Sequence, residues 1–218
     1  KKSCKCSKRW VSHLIVYPID WRCAKDKRNN GMAEIILVTC DVEFDGGGRT
    51  NFTDGLDKGI PLILKTLDEF HKKCLFFINT EIMDSRPGVV QDIINAGHEI
   101  GCHGHFHVCF KSPMRQHQNM MISQSILSGL SNQSSWYWRA PKFSQVFYNQ
   151  EYSNPINHLG LLKAMWLGHK YKPSNILYFH PFDIVKTYNK APNLFCKLWY
   201  SKPTEAYELL RRILSKLS

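Results

Sequence analysis

Four histidines stand within ten residues of this sequence, in the stretch HEIGCHGHFH at 98–107. His103 and His107 are four positions apart, a spacing that brings two imidazoles together on one helical turn or in a tight loop. Imidazole pairs of this kind suit Zn²⁺ and other borderline divalent cations. His105 is expected to face away, and His98 stands far from the carboxyl end of the segment. A pair of surface histidines is the alternative interpretation.

A second group of polar residues stands at the end of the apolar run IILV, in TCDVEFDGGG at 39–48. Asp41 and Glu43 point to the same side of an extended chain, because side chains alternate with a period of two. Two neighbouring carboxylates repel each other unless a cation or a shared proton lies between them. The pair is therefore a candidate general base and metal ligand. A helix cap or an aspartate turn before the glycines is the alternative.

Two further candidates follow apolar runs later in the chain, in WRAPKF and YFHPF. Arg139 needs a carboxylate partner if it is buried, and Asp41 is the simplest choice. His180 precedes a stiffening proline, and a histidine there can titrate near neutrality as an acid. The alternatives are an arginine that extends to the surface and a core histidine bonded to the backbone.

The elements that must position these residues alternate between short β-rich runs and segments of helical periodicity. The predicted strands are 34–42, 74–80, 98–103, 136–141 and 175–181, and the predicted helices are 56–72, 87–96, 115–130, 155–166 and 203–217. Such alternation indicates βα units around a parallel sheet, either a barrel or a doubly wound sheet. In these folds the chemistry collects at the carboxyl ends of the strands, which is where the polar residues fall.

Composition favours one folded domain with a short appendage. The chain has 218 residues, of which 43% are hydrophobic and 12% aromatic. Residues 1–31 are rich in Cys, Lys and Arg without sustained periodicity, and are predicted to be an appendage to a catalytic domain at 32–218. The formal charge of +11 favours polyanionic partners. Because no basic motif typical of nucleic-acid binding is present, nucleic acid is not predicted as a partner.

Cysteine usage and hydropathy bear on the compartment. Cys40, Cys74 and Cys102 lie in apolar, strand-like runs, where reduced buried thiols are expected. No apolar run is as long as a membrane span, and the first residues do not resemble a secretory signal. A cytoplasmic protein is the default expectation.

In order along the chain, the strand ends carry a carboxylate pair, a histidine pair, an arginine and a histidine. They read TCDVE, HEIGCHGHFH, RAP and LYFHP. This pattern resembles the polysaccharide deacetylases, the NodB-homology enzymes of carbohydrate esterase family 4. Their motifs run Thr-Phe-Asp-Asp, His-Ser/Thr-x-x-x-His, Arg-x-Pro and Leu-x-His. The resemblance covers about residues 34–217 and implies a distorted, TIM-barrel-like (β/α) barrel of about seven strands.

The resemblance also implies a function and roles for the residues. It implies a metal-dependent hydrolase that removes N-acetyl groups from amino sugars of a polysaccharide or glycolipid. His103, His107 and Glu43 would hold a divalent metal, most simply Zn, with Co, Mn or Ni as options. The remaining assignments are Asp41 as base, Arg139 as its partner, His180 as acid, and Lys142, after Pro141, as the backbone N–H donor to the oxyanion.

One departure from the family motif concerns the metal site. Val42 stands where many members have a second aspartate, and a valine cannot bind a metal. The Asp-x-Glu arrangement makes Glu43 the expected ligand, with Asp45 in reserve. Two other functions remain open: hydrolysis of a different amide, as in allantoinase-like relatives, and an inactive carbohydrate-binding barrel.

Overall fold

The computed structural model describes 37–131, 137–143, 158–162, 165, 176–185 and 194–217. The predicted appendage at 1–31 lies outside the described residues, so the division into 1–31 and 32–218 stays a prediction. Within the described part, no helix is long and apolar enough to span a bilayer.

The described residues form one parallel sheet of five strands. Its order is β3-β2-β1-β5-β4, and every neighbouring pair is parallel. The strands are β1 (Leu37–Val42), β2 (Leu75–Ile78), β3 (Glu99–Cys102), β4 (His158–Gly160) and β5 (Ile176–Phe179). The predicted α/β class with a parallel sheet is confirmed, and five of the roughly seven expected strands lie in the described part.

Helices separate the strands along the chain. They are α1 (Ile60–Glu69), α2 (Gly88–Asn95), α3 (Pro113–Ser128), α4 (Leu194–Trp199) and α5 (Pro203–Leu214). Short helical turns also occur at Asp45–Gly48, Gly55–Gly59, Thr80–Asp84, Pro141–Phe143 and Pro181–Asp183. Four of the five predicted helices are confirmed within a few residues. The last helix buries Ala206, Leu209, Leu210 and Leu214 on one face.

Two predicted elements differ from the part that the structure describes. The predicted helix at 155–166 is wrong at its start, where β4 pairs with β5, whereas Leu161, Leu162 and Met165 are helical. The predicted strand at 136–141 is reduced to a single bridge between Trp138 and Cys102. Pairing stops there because Pro141 has no N–H to donate and Lys142 adopts a left-handed conformation, with φ of 55°.

Side chains along β1 alternate between the hydrophobic core on one face of the sheet and the candidate site on the other. Val38, Cys40 and Val42 belong to the hydrophobic cluster that the helices cover. The opposite face of β1 carries Thr39 and Asp41, and Glu43 continues this alternation; all three are buried as well. This face of the sheet therefore carries polar side chains that are shielded from water. Cys40, Cys74 and Cys102 are free and buried, as expected.

A close backbone contact fixes the segment after β5. A β-carbon on Gly59, just before α1, would collide with the carbonyl oxygen of Pro181. A β-carbon on Gly55 would lie 2.8 Å from the backbone nitrogen of Phe182. Because both positions are glycine, the Gly55–Gly59 turn packs directly on the segment that follows His180.

Candidate metal centre and active site

The site residues lie at the carboxyl ends of three strands and at one isolated bridge. Asp41 is the last residue but one of β1, Glu43 follows β1, His103 follows β3, and His180 follows β5. Arg139 follows the bridge of Trp138 to Cys102. Because β1 pairs with β2 and β5, and β2 pairs with β3, these ends meet at one edge of the sheet.

Glu43, His103 and His107 converge on one point. Glu43 Oε2 lies 2.6 Å from His107 Nε2 and 3.3 Å from His103 Nε2. One donor atom from each residue lies within 4.8 Å of the other two. Tetrahedral zinc sites with bonds of about 2.0–2.1 Å place their donor atoms about 3.3 Å apart. The cluster is therefore compact enough to hold one cation.

The electrostatics of Glu43 are those of a buried carboxylate held in its charged form. Burial alone would raise its pKa, but His103 and His107 beside it, together with the charge of His180, lower the pKa well below its usual range. Glu43 Oε2 is buried without a hydrogen bond of good geometry. A charged oxygen of this kind, facing two imidazoles, fits a bound cation.

The ring of His103 is fixed by the backbone. Its Nδ1 lies 2.8 Å from the carbonyl oxygen of Arg139, so Nδ1 carries the proton and Nε2 faces Glu43. Orientation by a backbone carbonyl is the usual second contact of a metal-binding histidine. His107 Nδ1 has no such partner among the described residues.

Asp41 is held by Arg139 beside the cluster. Arg139 Nη1 donates to Asp41 Oδ1, and Nη2 donates to Thr39 Oγ1 at 2.9 Å. The guanidinium also stacks on the Phe77 ring, 4.2 Å from its centroid. Asp41 Oδ2 lies 4.0 Å from His103 Nε2. The structure thus brings Asp41 and Arg139 together and turns the second carboxylate oxygen towards the cluster.

His180 is oriented by Asp183, a residue that the sequence analysis does not identify. Asp183 Oδ2 accepts from the backbone N–H of His180 at 2.9 Å and lies 3.3 Å from its Nδ1. The other ring nitrogen, Nε2, is 3.6 Å from Glu43 Oε1. Burial opposes protonation, but Asp183, Glu43 and Asp41 raise the pKa of His180 to about 9. The spacing His-x-x-Asp after β5 is a signal that could identify this pair, as in a capping box.

An open pocket of about 260 Å³ gives access to these groups. Lys142 lies at its edge, whereas Pro141 is buried and its carbonyl oxygen accepts from Cys109 Sγ at 3.1 Å. The residues that line the pocket are Asp41, Glu43, Gly46, Gly47, Arg49, His103, His107, Lys142, Tyr178, His180 and Tyr200. Arg49, Tyr178 and Tyr200 are not identified by the sequence analysis.

A glycine loop closes over the metal-ligand candidates. Gly46, Gly47 and Gly48 all have positive φ, between 67° and 73°. A β-carbon on Gly48 would lie 2.9 Å from His107 Nδ1. The loop after β1 can therefore contact the His107 ring only because position 48 has no side chain.

The reserve ligand and the other two histidines of the 98–107 stretch do not join the cluster. Asp45, the reserve ligand, is turned towards the N–H of Gly55, which donates to its Oδ1 at 3.0 Å. Burial raises the pKa of Asp45 to about 7. His105 Nδ1 lies 3.1 Å from Thr80 Oγ1, and His98 packs against Phe76.

The described residues thus combine a parallel α/β fold with a Glu-His-His cluster beside an Asp-Arg pair. The polysaccharide deacetylase family model matches residues 49–163, just over half of the chain. The chain belongs to the polysaccharide deacetylase family. No curated protein matches it significantly.

Solved structures of this family share the fold. A CE4 family pseudoenzyme from Bacillus anthracis is 16% identical over 85% of this chain and 60% of its own, with a TM-score of 0.56. The peptidoglycan deacetylase PdaC from Bacillus subtilis is 13% identical over 84% of this chain and 85% of its own, with a TM-score of 0.53. The chain thus spans about 60% of the length of the pseudoenzyme and has the distorted barrel fold of these proteins.

Proposed function

We propose that this protein is a metal-dependent hydrolase that removes acetyl groups from N-acetylated amino sugars of a polysaccharide or glycolipid. The observation that carries the proposal is the Glu43-His103-His107 cluster with Asp41 and His180 at its edge. Family membership supports this reaction class. The substrate is proposed to be a carbohydrate chain that lies across the open pocket.

The donor set fits a divalent cation that keeps an open coordination position. Two imidazoles and one carboxylate are the protein ligands of several catalytic zinc sites, and Co²⁺, Mn²⁺ and Ni²⁺ accept the same donors. In the proposed site, Glu43, His103 and His107 hold the ion. When bound, it supplies a Lewis acid for the acetyl carbonyl and lowers the pKa of a water molecule.

Asp41 is proposed to act as the general base. Its Oδ1 is occupied by Arg139, so Oδ2 remains to accept a proton from the attacking water. The water oxygen adds to the acetyl carbon, and the carbonyl oxygen becomes an oxyanion. We assign the backbone N–H of Lys142 as a donor to that oxyanion, because Lys142 lines the same pocket as Asp41 and His103.

His180 is proposed to complete the reaction as the general acid. Asp183 fixes one of its ring nitrogens, which leaves Nε2 to donate a proton to the departing amine as the C–N bond breaks. The side chain is 23% exposed, so the pocket gives it contact with a ligand. Acetate and a free amino sugar are the products.

The test measures bound metal and acetate release together. Wild type is expected to hold about one metal ion per chain and to release acetate from N-acetylglucosamine oligomers. His107→Ala is expected to lose both, because it removes a ligand. Asp41→Asn is expected to keep the metal and to lose acetate release by a factor of about 10²–10⁴, since only the base is removed.

The matched control is His105→Ala, which removes a neighbouring imidazole outside the cluster. This variant is expected to keep its metal. If His107→Ala binds as much metal as wild type, the assignment of the metal centre is wrong. If wild type holds metal but releases no acetate from any N-acetylated sugar, the reaction assignment is wrong.

An inactive carbohydrate-binding barrel is the second candidate, because structurally similar proteins include pseudoenzymes. The observation that would favour it is saccharide binding by wild type without acetate release. The presence of both histidines and Glu43 in one cluster supports the catalytic alternative.

A further inference from the structure

Two exposed cationic side chains line the pocket without ion-pair partners among the described residues. Arg49 follows the glycine loop, and Lys142 follows Pro141. The two acidic residues that line the same pocket, Asp41 and Glu43, are buried and are held by Arg139 and by the histidines. The charge that the pocket presents to solvent is therefore positive.

Both cations are attached to the parts of the chain that form the site. Arg49 comes directly after Gly48, which packs on the His107 ring, and Thr50 Oγ1 donates to the carbonyl of Asp45 at 2.7 Å. Lys142 comes directly after Pro141, whose carbonyl accepts from Cys109. Their backbones are thus fixed relative to the point where the acetyl group would be cleaved.

A neutral saccharide makes little use of this arrangement. A sugar that enters the pocket removes water from both cations, and that cost is offset only where the ligand supplies negative charge or acceptor oxygens. A guanidinium matches an oxyanion such as a carboxylate with two parallel hydrogen bonds, and an ammonium adds a third donor group. Two cations that line the same pocket therefore fit an anionic substrate.

We infer that the substrate of this pocket is an anionic saccharide, in which an oxyanion on the N-acetylated sugar or on its neighbour is bound by Arg49 and Lys142. This inference rests on the proposed function for the position of the acetyl group. The oxyanion can be part of the same sugar or of the adjacent one, and the experiment separates these sources.

The test compares each acid with its own neutral ester. The ligands are an N-acetylmuramic acid disaccharide, which has a carboxylate on the acetylated sugar, and a tetrasaccharide of alternating N-acetylglucosamine and glucuronic acid, which has it on the neighbour. Each is paired with its methyl ester. Binding is measured by calorimetry on zinc-loaded Asp41→Asn, so that turnover does not interfere.

At least one acid is expected to bind about tenfold more tightly than its ester, because two partly exposed ion pairs contribute. In Arg49→Gln and in Lys142→Gln the ratio of acid to ester affinity is expected to fall towards one. Arg49→Lys is expected to retain part of the preference for the acid over its ester, because the positive charge remains. The matched controls Arg115→Gln and Lys216→Gln, exposed positions that do not line the pocket, are expected to keep all of it.

The inference is overturned if neither acid binds more tightly than its ester, including the case in which no ligand binds. It is also overturned if the preference persists in both glutamine variants. Acetate release is assayed separately on the wild-type protein. If wild type releases no acetate but still binds an acid more tightly than its ester, the proposed function is contradicted and the preference for an anionic saccharide remains supported.

Discussion

At the scale of single residues, the site depends on buried charges that need their partners. Arg139 and Asp41 are both buried, and the Arg139 guanidinium bonds Asp41 and Thr39 at once. Thr39 in turn donates to the carbonyl of Leu177 at 2.9 Å. The arginine therefore holds two residues of β1, one of which also bonds β5, as well as aligning the proposed base.

Arg139→Leu is expected to lower the free energy of unfolding by about 3–5 kcal/mol, because it leaves the Asp41 carboxylate buried without its partner. The measurement is urea unfolding. In the double variant Arg139→Leu, Asp41→Asn, no charge remains unpaired, so the loss is expected to be smaller than in Arg139→Leu alone. A double variant that is as unstable as the sum of both single variants would contradict the coupling.

Glu43 and Asp183 show what the sequence can and cannot predict at this scale. Glu43 is predictable as a metal-ligand candidate, because alternation along a strand places it beside Asp41. Asp183 has only the local His-x-x-Asp spacing as a signal, because its role depends on a turn that brings its carboxylate back to the N–H and ring of His180. Such a return contact has no periodic signal.

At the scale of elements, the sequence predicts where the long apolar strands lie, but it does not predict which short segments pair with them. The strands β1, β2, β3 and β5 are mostly buried and centred on β-branched, aromatic or other apolar residues, so their positions can be predicted from the sequence. β4 is only three residues long, and it pairs with β5 although its sequence, His-Leu-Gly, has little strand character. Conversely, the aromatic run at 136–141 predicts a strand, but only Trp138 forms a bridge.

The contact of the Gly55–Gly59 turn with the segment after β5 predicts the effect of a single methyl group. Gly59→Ala is expected to lower the free energy of unfolding by about 1–3 kcal/mol and to displace the loop that carries His180, because its β-carbon meets the Pro181 carbonyl. Urea unfolding and acetate release measure the two effects.

Gly88→Ala is the control for this change. Gly88 is the first residue of α2, and no atom lies within 4 Å of the position that its β-carbon would occupy. Stability is expected to stay the same or to rise slightly, since alanine favours the helix. Equal losses in both variants would contradict a specific contact at Gly59.

At the scale of the whole molecule, metal binding is expected to stabilise the fold. The three proposed ligands come from the loops after β1 and β3, so unfolding must separate them. Zinc at a free concentration of 100 times its Kd is expected to stabilise the chelator-treated protein by about 2.7 kcal/mol and to raise its Tm. The measurement is a thermal melt with and without zinc.

Two histidine variants check this prediction. His103→Ala is expected to abolish the rise in Tm, whereas His105→Ala is expected to retain it. A rise in Tm that survives in His103→Ala would place the zinc elsewhere on the chain.

The predicted boundary after residue 31 is also a property of the whole chain. Every described residue that lines the pocket or holds one of its side chains lies between Thr39 and Tyr200, so removal of residues 1–31 is expected to leave metal content and acetate release unchanged. Metal analysis and the acetate assay on the shortened protein measure this. An insoluble or inactive product would show that the first residues belong to the domain.

The glycine at position 48 has a consequence for how activity in this chain could be lost. A methyl group there would meet the His107 ring at 2.9 Å, on a backbone that already favours glycine. One substitution is thus expected to silence the proposed centre while every proposed ligand, base and acid in the sequence stays in place. A search for inactive descendants of this protein that checks only for the metal-binding residues would count such a chain as an enzyme.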